Sequence, residues 1–413
     1  MAIHWMAAVD AQFYWMSAKV PSDEFLLYAF AGVPDDLDGA IDRVRRRARA
    51  CPGLAMRLED GCALSYPRWV GMALESTQVV RHELADDGWP SYLAAVVGLA
   101  DDQLDVRRIP WRLHVFPAVS GIPGVDGPGA VAVLQVPHAL ADGARAAAMA
   151  AWLFGRAAPV PEVTPIPAGC LPWRAAEAAR THRQLDRDTR AGQLAPGVGL
   201  RPPLSTNARP GPTRSVRTLV RHRSQLPGPT VTVGVLDAVS TALSELLDGP
   251  VDSLGAEVPM AKPGVPHAHN HFGNVVVGLY PELGRDARVR RIAADLANGR
   301  RRFEHPATRA ADRAFAAVPA PLLRWGISRL DPDVRPAQVA GNTVVSSVNR
   351  GAADLSFGGA PVVLTAGYPA LSPSMGLTHG VHGIGDTVAI SVNAAESAVP
   401  DVDAYLRLLD AAL

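Results

Sequence analysis

From residue 156 to residue 214 the chain has no apolar periodicity from which to build a core. Residues 158–172 are rich in proline and residues 192–212 in glycine and proline. Between them, residues 173–191 read as a helix whose many arginines face solvent. A segment of this kind cannot bury itself and reads as a crossover. It divides the 413-residue chain into units 1–155 and 215–413, each long enough for its own core.

Both units mix strand and helix patterns. Residues 24–31, 111–118 and 130–136 read as strands, with shorter ones near 55–58, 63–69 and 78–84. Apolar residues at Leu37, Ile41, Val44 and Ala48 give residues 37–51 one helical face, and Pro52-Gly53 stops that helix. Residues 91–99 and 144–155 read as further helices. In the second unit the expected helices are 231–247 (stopped by Asp248-Gly249-Pro250), 288–303, 319–329 and 402–413. The expected strands there are 216–221, 275–280, 343–348, 362–365 and 387–392. This is an α/β (α+β) pattern of two mixed sheets, each backed by helices.

Forty basic residues balance forty acidic ones, so charge gives no reason to expect nucleic acid as a partner. Cys51, Cys62 and Cys170 lack metal or redox spacing and read as reduced thiols of a cytoplasmic protein. Residues 1–10 lack the basic start and apolar core of a secretion signal, and no run reaches the ~18 apolar residues of a membrane span. Peripheral contact with a membrane or lipid stays compatible with this composition.

Chemistry concentrates at Val131-Ala-Val-Leu-Gln-Val-Pro-His138-Ala-Leu-Ala-Asp142-Gly143, where an apolar strand ends at a histidine and a helix follows. A histidine with an ordinary pKa near ~6.5 is partly neutral at cell pH and can take the proton of a hydroxyl or amine attacking a thioester. Asp142 can orient the imidazole, pair with an arginine and so fix the loop that presents it, or cap the following helix. Gly143 would let the backbone turn sharply into that helix. By chance, His-x-x-x-Asp-Gly is expected in roughly one such chain in twenty, so the spacing gains its meaning from the strand–loop–helix context.

Pro137-His138-Ala-Leu-Ala-Asp142-Gly143 resembles the active-site motif of the superfamily that holds chloramphenicol acetyltransferase and peptide-synthetase condensation domains. Four other segments are similar to the wax ester synthase/diacylglycerol acyltransferase (WS/DGAT) family. They are Val9-Asp10-Ala-Gln-Phe13, Leu104-Asp105 through Pro110-Trp111, Phe272-Gly273-Asn274, and Gly385 through Asn393 with Val399-Pro-Asp401. These segments occur in the family's order. The first of the family's paired histidines is here Pro137, its Asn-Asp is Thr232-Val233, and its Ser-Asn-Val-Pro-Gly-Pro is Ser346-Ser347-Val348-Asn349-Arg350-Gly351.

The resemblance implies two chloramphenicol-acetyltransferase-like domains with a tunnel between them and His138 near its middle. It implies acyl-CoA as co-substrate, an alcohol as acceptor, and no metal or prosthetic group. Asp142 would be structural, and Ser346, Ser347 and Asn274 are the candidates to bind oxyanion or acceptor. The drifted segments leave wax ester or triacylglycerol as product open to replacement by a natural product or complex lipid. Two other readings stand beside this one: a condensation-type enzyme fed by a carrier protein, and a silent homologue that keeps the fold. His267, His269 and His271 alternate but have no carboxylate or cysteine close in sequence, so they read as a loop beside the tunnel. His379 and His382 read as another glycine-rich loop, and Trp111 as core packing.

Overall fold

Nine consecutive buried residues, Gly129–Pro137, form the strand that leads into His138. A run this apolar needs cover on both faces and neighbours on both edges, and it has them. A computed structural model describes residues 4–167, 169–247 and 253–413. Its first half contains β1 (His4–Trp5), α1 (Ala8–Ser17), β2 (Asp23–Phe30), α2 (Leu37–Ala50), β3 (Met56–Glu59), β4 (Arg68–Gly71) and β5 (Val79–Arg81). Then come α3 (Trp89–Leu99), β6 (Arg112–Val119), β7 (Gly129–Pro137), α4 (Gly143–Leu153) and α5 (Leu171–Arg190). The second half holds β8 (Arg214–His222), α6 (Val231–Leu246), β9 (Gly255–Ala261), β10 (Phe272–Gly278), α7 (Arg285–Glu304), α8 (Pro306–Ala316) and α9 (Ala320–Ser328). It closes with β11 (Thr343–Asn349), β12 (Ser356–Phe357), β13 (Ala360–Gly367), β14 (Leu377–Ile384), β15 (Thr387–Ala395) and α10 (Val402–Ala412). The expected stop at Asp248-Gly249-Pro250 lies outside the described residues.

The mixed α/β architecture expected from the pattern is the one observed. One six-stranded sheet has the order β12-β13-β2-β7-β6-β5, the other β10-β9-β11-β14-β15-β8, and a small sheet has the order β1-β4-β3. In the larger sheets β5 runs parallel to β6, and β11 runs parallel to β9 and β14; the other neighbours are antiparallel. Residues 215–413, read as one unit from sequence, give a strand away. β13 pairs with β2 from Val362↔Phe30 to Gly367↔Leu26, so the first sheet is finished by the second half of the chain. Unpaired strand edges are costly to bury, and this exchange covers one.

The crossover is anchored. On α5 only Leu185 is buried; it meets Leu194 and Ala307 in a small cluster. Glu177 bonds to Arg313 of α8 at 2.5 Å, and Asp188 to His305 at 3.1 Å. Trp111 is fully buried and donates from Nε1 to Leu54 O at 2.8 Å, as core packing requires. Beneath the site, Asp23, Gln135, His114 and His82 form a hydrogen-bonded chain across β2, β7 and β6, with links of 2.7, 2.9 and 2.8 Å. Asp23 also accepts from Leu104 N at 2.8 Å. The three cysteines are free, Cys51 buried and the other two exposed. Among the described residues no helix is long and apolar enough to cross a membrane.

Candidate active site

β7 sets His138 one residue beyond its end, on the wall of a cavity of about 440 Å³. Phe13 of α1 stacks on the imidazole, with ring centroids 4.1 Å apart and planes 7° from parallel. Phe272, the first residue of β10, closes another side at 5.5 Å. The Nε2 atom faces Oε1 of Glu24 across 3.6 Å, with the side chains 18% and 24% exposed. Burial holds the His138 pKa below its ordinary 6.5, opposed by Asn270 and by the charges of Asp142 and Asp10. The imidazole is therefore neutral, as a base must be.

Asp142 serves as the N-cap of α4, Oδ1 accepting from Arg145 N at 2.9 Å. Its Oδ2 accepts from His271 N at 2.8 Å, and its own N–H donates to His269 O at 3.3 Å. Asp142 caps the helix, as one sequence reading has it; among the described residues it forms no ion pair with an arginine but holds the 269–271 loop, and neither carboxylate oxygen bonds to the imidazole. Gly143 begins α4 outside the positive-φ region, and a Cβ there would make ordinary contact with Val348 Cγ2 at 3.7 Å. The sharp turn expected at Gly143 is thus not what the backbone requires, because the residue already has helical geometry.

The 269–271 loop is held a second time, by Asp10 of α1. Asp10 Oδ2 accepts from His269 N at 3.0 Å, and Oδ1 accepts from Asn270 N and Nδ2, both at 2.9 Å. Asn270 Nδ2 also donates to His138 O at 2.8 Å. Burial raises the Asp10 pKa from 3.8 to about 6 against the pull of these bonds. Two carboxylates of the first half thus clamp one loop of the second, and that loop fixes the carbonyl of His138. Glu24 lacks such partners: Oε2 is buried without a hydrogen bond, and burial together with the charge of Asp142 pushes its pKa up to about 8.

Ser346 and Ser347 line the same cavity as His138. Ser347 Oγ is 2.8 Å from Thr232 Oγ1, which stands in the Thr232-Val233 pair where the resembled family has Asn-Asp. Asn274 does not join them. It is exposed on the edge strand β10, donating to Glu257 Oε2 at 3.0 Å. His267 is exposed and hydrogen-bonded to Thr164 O, while His269 packs on Trp69. Among the described residues no group of three His, Cys, Asp or Glu could hold a metal ion. His379 and His382 lie in buried strand β14, not in a loop. His379 bonds to Thr343 Oγ1 at 2.9 Å and to Tyr405 OH at 2.7 Å. A second cavity, about 250 Å³, shares Val20, Pro21, Phe25 and Tyr368 with the first and continues between Val96, Val97 and Val216.

Asp10, Phe13, Glu24 and Asn270 had no role in the reading of the motif itself. Asp10 and Phe13 stood only within a matching segment, although a carboxylate beside an aromatic near the chain start was visible. Glu24 was visible only as one of two charges opening an apolar strand.

Residues 269–413, beginning within the clamped loop, match the family model described as the WS/DGAT C-terminal domain. Wax ester synthase/diacylglycerol acyltransferase from Marinobacter aquaeolei VT8 is similar over 99% of this chain and 97% of its own, at 18% identity and TM-score 0.65. The starter condensation domain of rhizomide synthetase, as a mutant in complex with C8-CoA and Leu-SNAC, is similar over 99% and 93%, at 14% identity and TM-score 0.59. The same domain in complex with C8-CoA alone gives TM-score 0.58 at 14% identity, over 100% and 94%. These likenesses show a shared two-domain, chloramphenicol-acetyltransferase-like fold for the whole chain, including the part before residue 269. No curated protein matches the chain by sequence.

Proposed function

We propose that this protein is an acyltransferase that moves an acyl group from a CoA thioester to a hydroxyl, with His138 as general base. The observation that carries the reading is the partly buried, neutral imidazole of His138 on a cavity wall, its Nε2 directed at Glu24. An acceptor hydroxyl between Nε2 and the thioester carbonyl would give its proton to Nε2 as the C–O bond forms. The tetrahedral intermediate then collapses, the C–S bond breaks, and the proton passes to the departing thiolate. Ser346 and Ser347 are the hydroxyl donors within the cavity that suit the oxyanion. The apolar side chains of the second cavity, Val96, Val97 and Val216 among them, offer the acyl chain a surface to lie against. No metal or prosthetic group is needed, because the thioester supplies the activation.

The test is release of free thiol from acyl-CoAs of graded length with a panel of alcohols. His138→Ala is expected to lower turnover at least about 100-fold with an unchanged circular dichroism spectrum. Wild-type turnover in that variant overturns the reading. Amines and a carrier-bound acyl donor belong in the same panel, since a solved neighbour of this fold is a condensation domain.

A further inference from the structure

The segment in which the chain departs most visibly from the WS/DGAT resemblance, residues 346–351, puts a guanidinium into the cavity of His138. Arg350 is only 5% exposed and lines that cavity. Its Nη1 donates to Leu27 O at 3.2 Å and to Thr365 Oγ1, and its guanidinium lies 5.0 Å over the Tyr28 ring. Its Nε has no hydrogen-bond partner. Among the described residues no carboxylate lies within 4.0 Å of it, although arginines elsewhere in the chain hold such partners. A buried cation without an anion is costly and is retained where something else supplies the anion.

A second orphan sits beside it. His382, also 5% exposed and lining the cavity, has a buried Nδ1 without a partner. Arg350 Nη2 and His382 Nε2 each come within 3.1 Å of where a Cβ on Gly367 would stand, so the two side chains converge there. Glu24, the carboxyl facing the same space, feels the charge of Arg350 but makes no ion pair with it, and burial pushes its pKa up to about 8. The cavity thus has a base on one wall and, on another, a guanidinium without an ion pair beside an imidazole with an unpartnered ring nitrogen.

We propose that the acceptor is a hydroxy acid, its carboxylate held against Arg350 and His382 while its hydroxyl reaches His138. A guanidinium presents a planar fork that matches a carboxylate, which favours that anion over a neutral alcohol. The inference rests on acyl transfer at His138 for its chemistry, but not for its binding step.

The test uses the full chain, octanoyl-CoA as donor, and ω-hydroxy carboxylic acids of increasing length, each paired with its methyl ester. At the best length the acid is expected to exceed its ester in kcat/KM by about tenfold or more. Arg350→Met should level the pair and Arg350→Lys should restore part of the preference, which a purely structural arginine would not do. Equal or better turnover of the ester by the wild-type protein overturns the proposal, and that comparison needs no variant to fold. Should no acceptor release thiol, so that the acyltransfer reading fails, calorimetric titration of the same acids into wild-type and His138→Ala protein decides the subsite alone. Binding of the acid and not the ester, lost in Arg350→Met, supports it; equal binding of both overturns it.

Discussion

Asp10 receives three hydrogen bonds from a loop 260 positions away in sequence, and every one requires an acceptor oxygen. Asp10→Asn turns one of those oxygens into a donor facing an N–H, and is expected to destabilise the fold by about 1–3 kcal/mol. The same change should lower kcat, because Asn270 holds the His138 carbonyl; urea unfolding and thiol release measure the two effects. Glu24 permits a signed pH prediction. Its folded pKa is about 8 against 4.5 for an unperturbed carboxyl, so the folded protein holds a proton there that the unfolded chain gives up. That contribution is complete below pH 4.5 and is lost as pH rises toward 8. Glu24→Gln should therefore gain Tm on the wild type as pH rises through this window. His138 has a folded pKa below 6.5, so it stays a competent base in mildly acid solution. The acid limb of kcat/KM is expected below pH 6.5 and should vanish with His138→Ala; a limb above that value would contradict the assignment.

Among the elements, those with a single apolar face were legible in the sequence. The helix expected over 37–51 is Leu37–Ala50, and the strand–loop–helix around His138 stands where its pattern put it. Helix α1 was not legible, because residues 8–17 bury only Ala8, Asp10 and Ala11 and so show no stripe. Strand β14 was hidden by its glycines, which read as a loop. Their reason is contact between strands: a Cβ on Gly380 would stand 2.2 Å from Gly367 O of β13. Gly380→Ala must push β13 and β14 apart, at an expected cost of about 1–3 kcal/mol in denaturant unfolding. Asn274 shows the reverse failure. Its motif was legible and its neighbour Phe272 reaches the imidazole, yet the edge position of β10 leaves Asn274 on the outside.

In the whole molecule, the crossover was legible as a segment with little to bury, whereas the placing of β13 in the first sheet was not, since strand pairing between distant segments leaves no periodic mark. The clamped loop joins the halves a second time, through Asp10 and Asp142. A fragment ending at residue 155 would lack β13 on one edge of its sheet and the loop that covers Asp10. Expressed alone, it is expected to show none of the dispersed amide spectrum of a folded domain, and the full chain a single cooperative unfolding transition. A well-folded fragment 1–155 would contradict this.

The late strand also imposes an order on biosynthesis. Translation runs from the amino end, and residues 360–367 leave the ribosome only when most of the 413-residue chain has been made. Until then β2 has no partner on one side, and the nascent amino-terminal half carries an open edge of apolar backbone into the cell. A chain built this way leans on whatever shields that edge during synthesis, and a ribosome stalled between residues 155 and 360 would leave behind a product prone to aggregate.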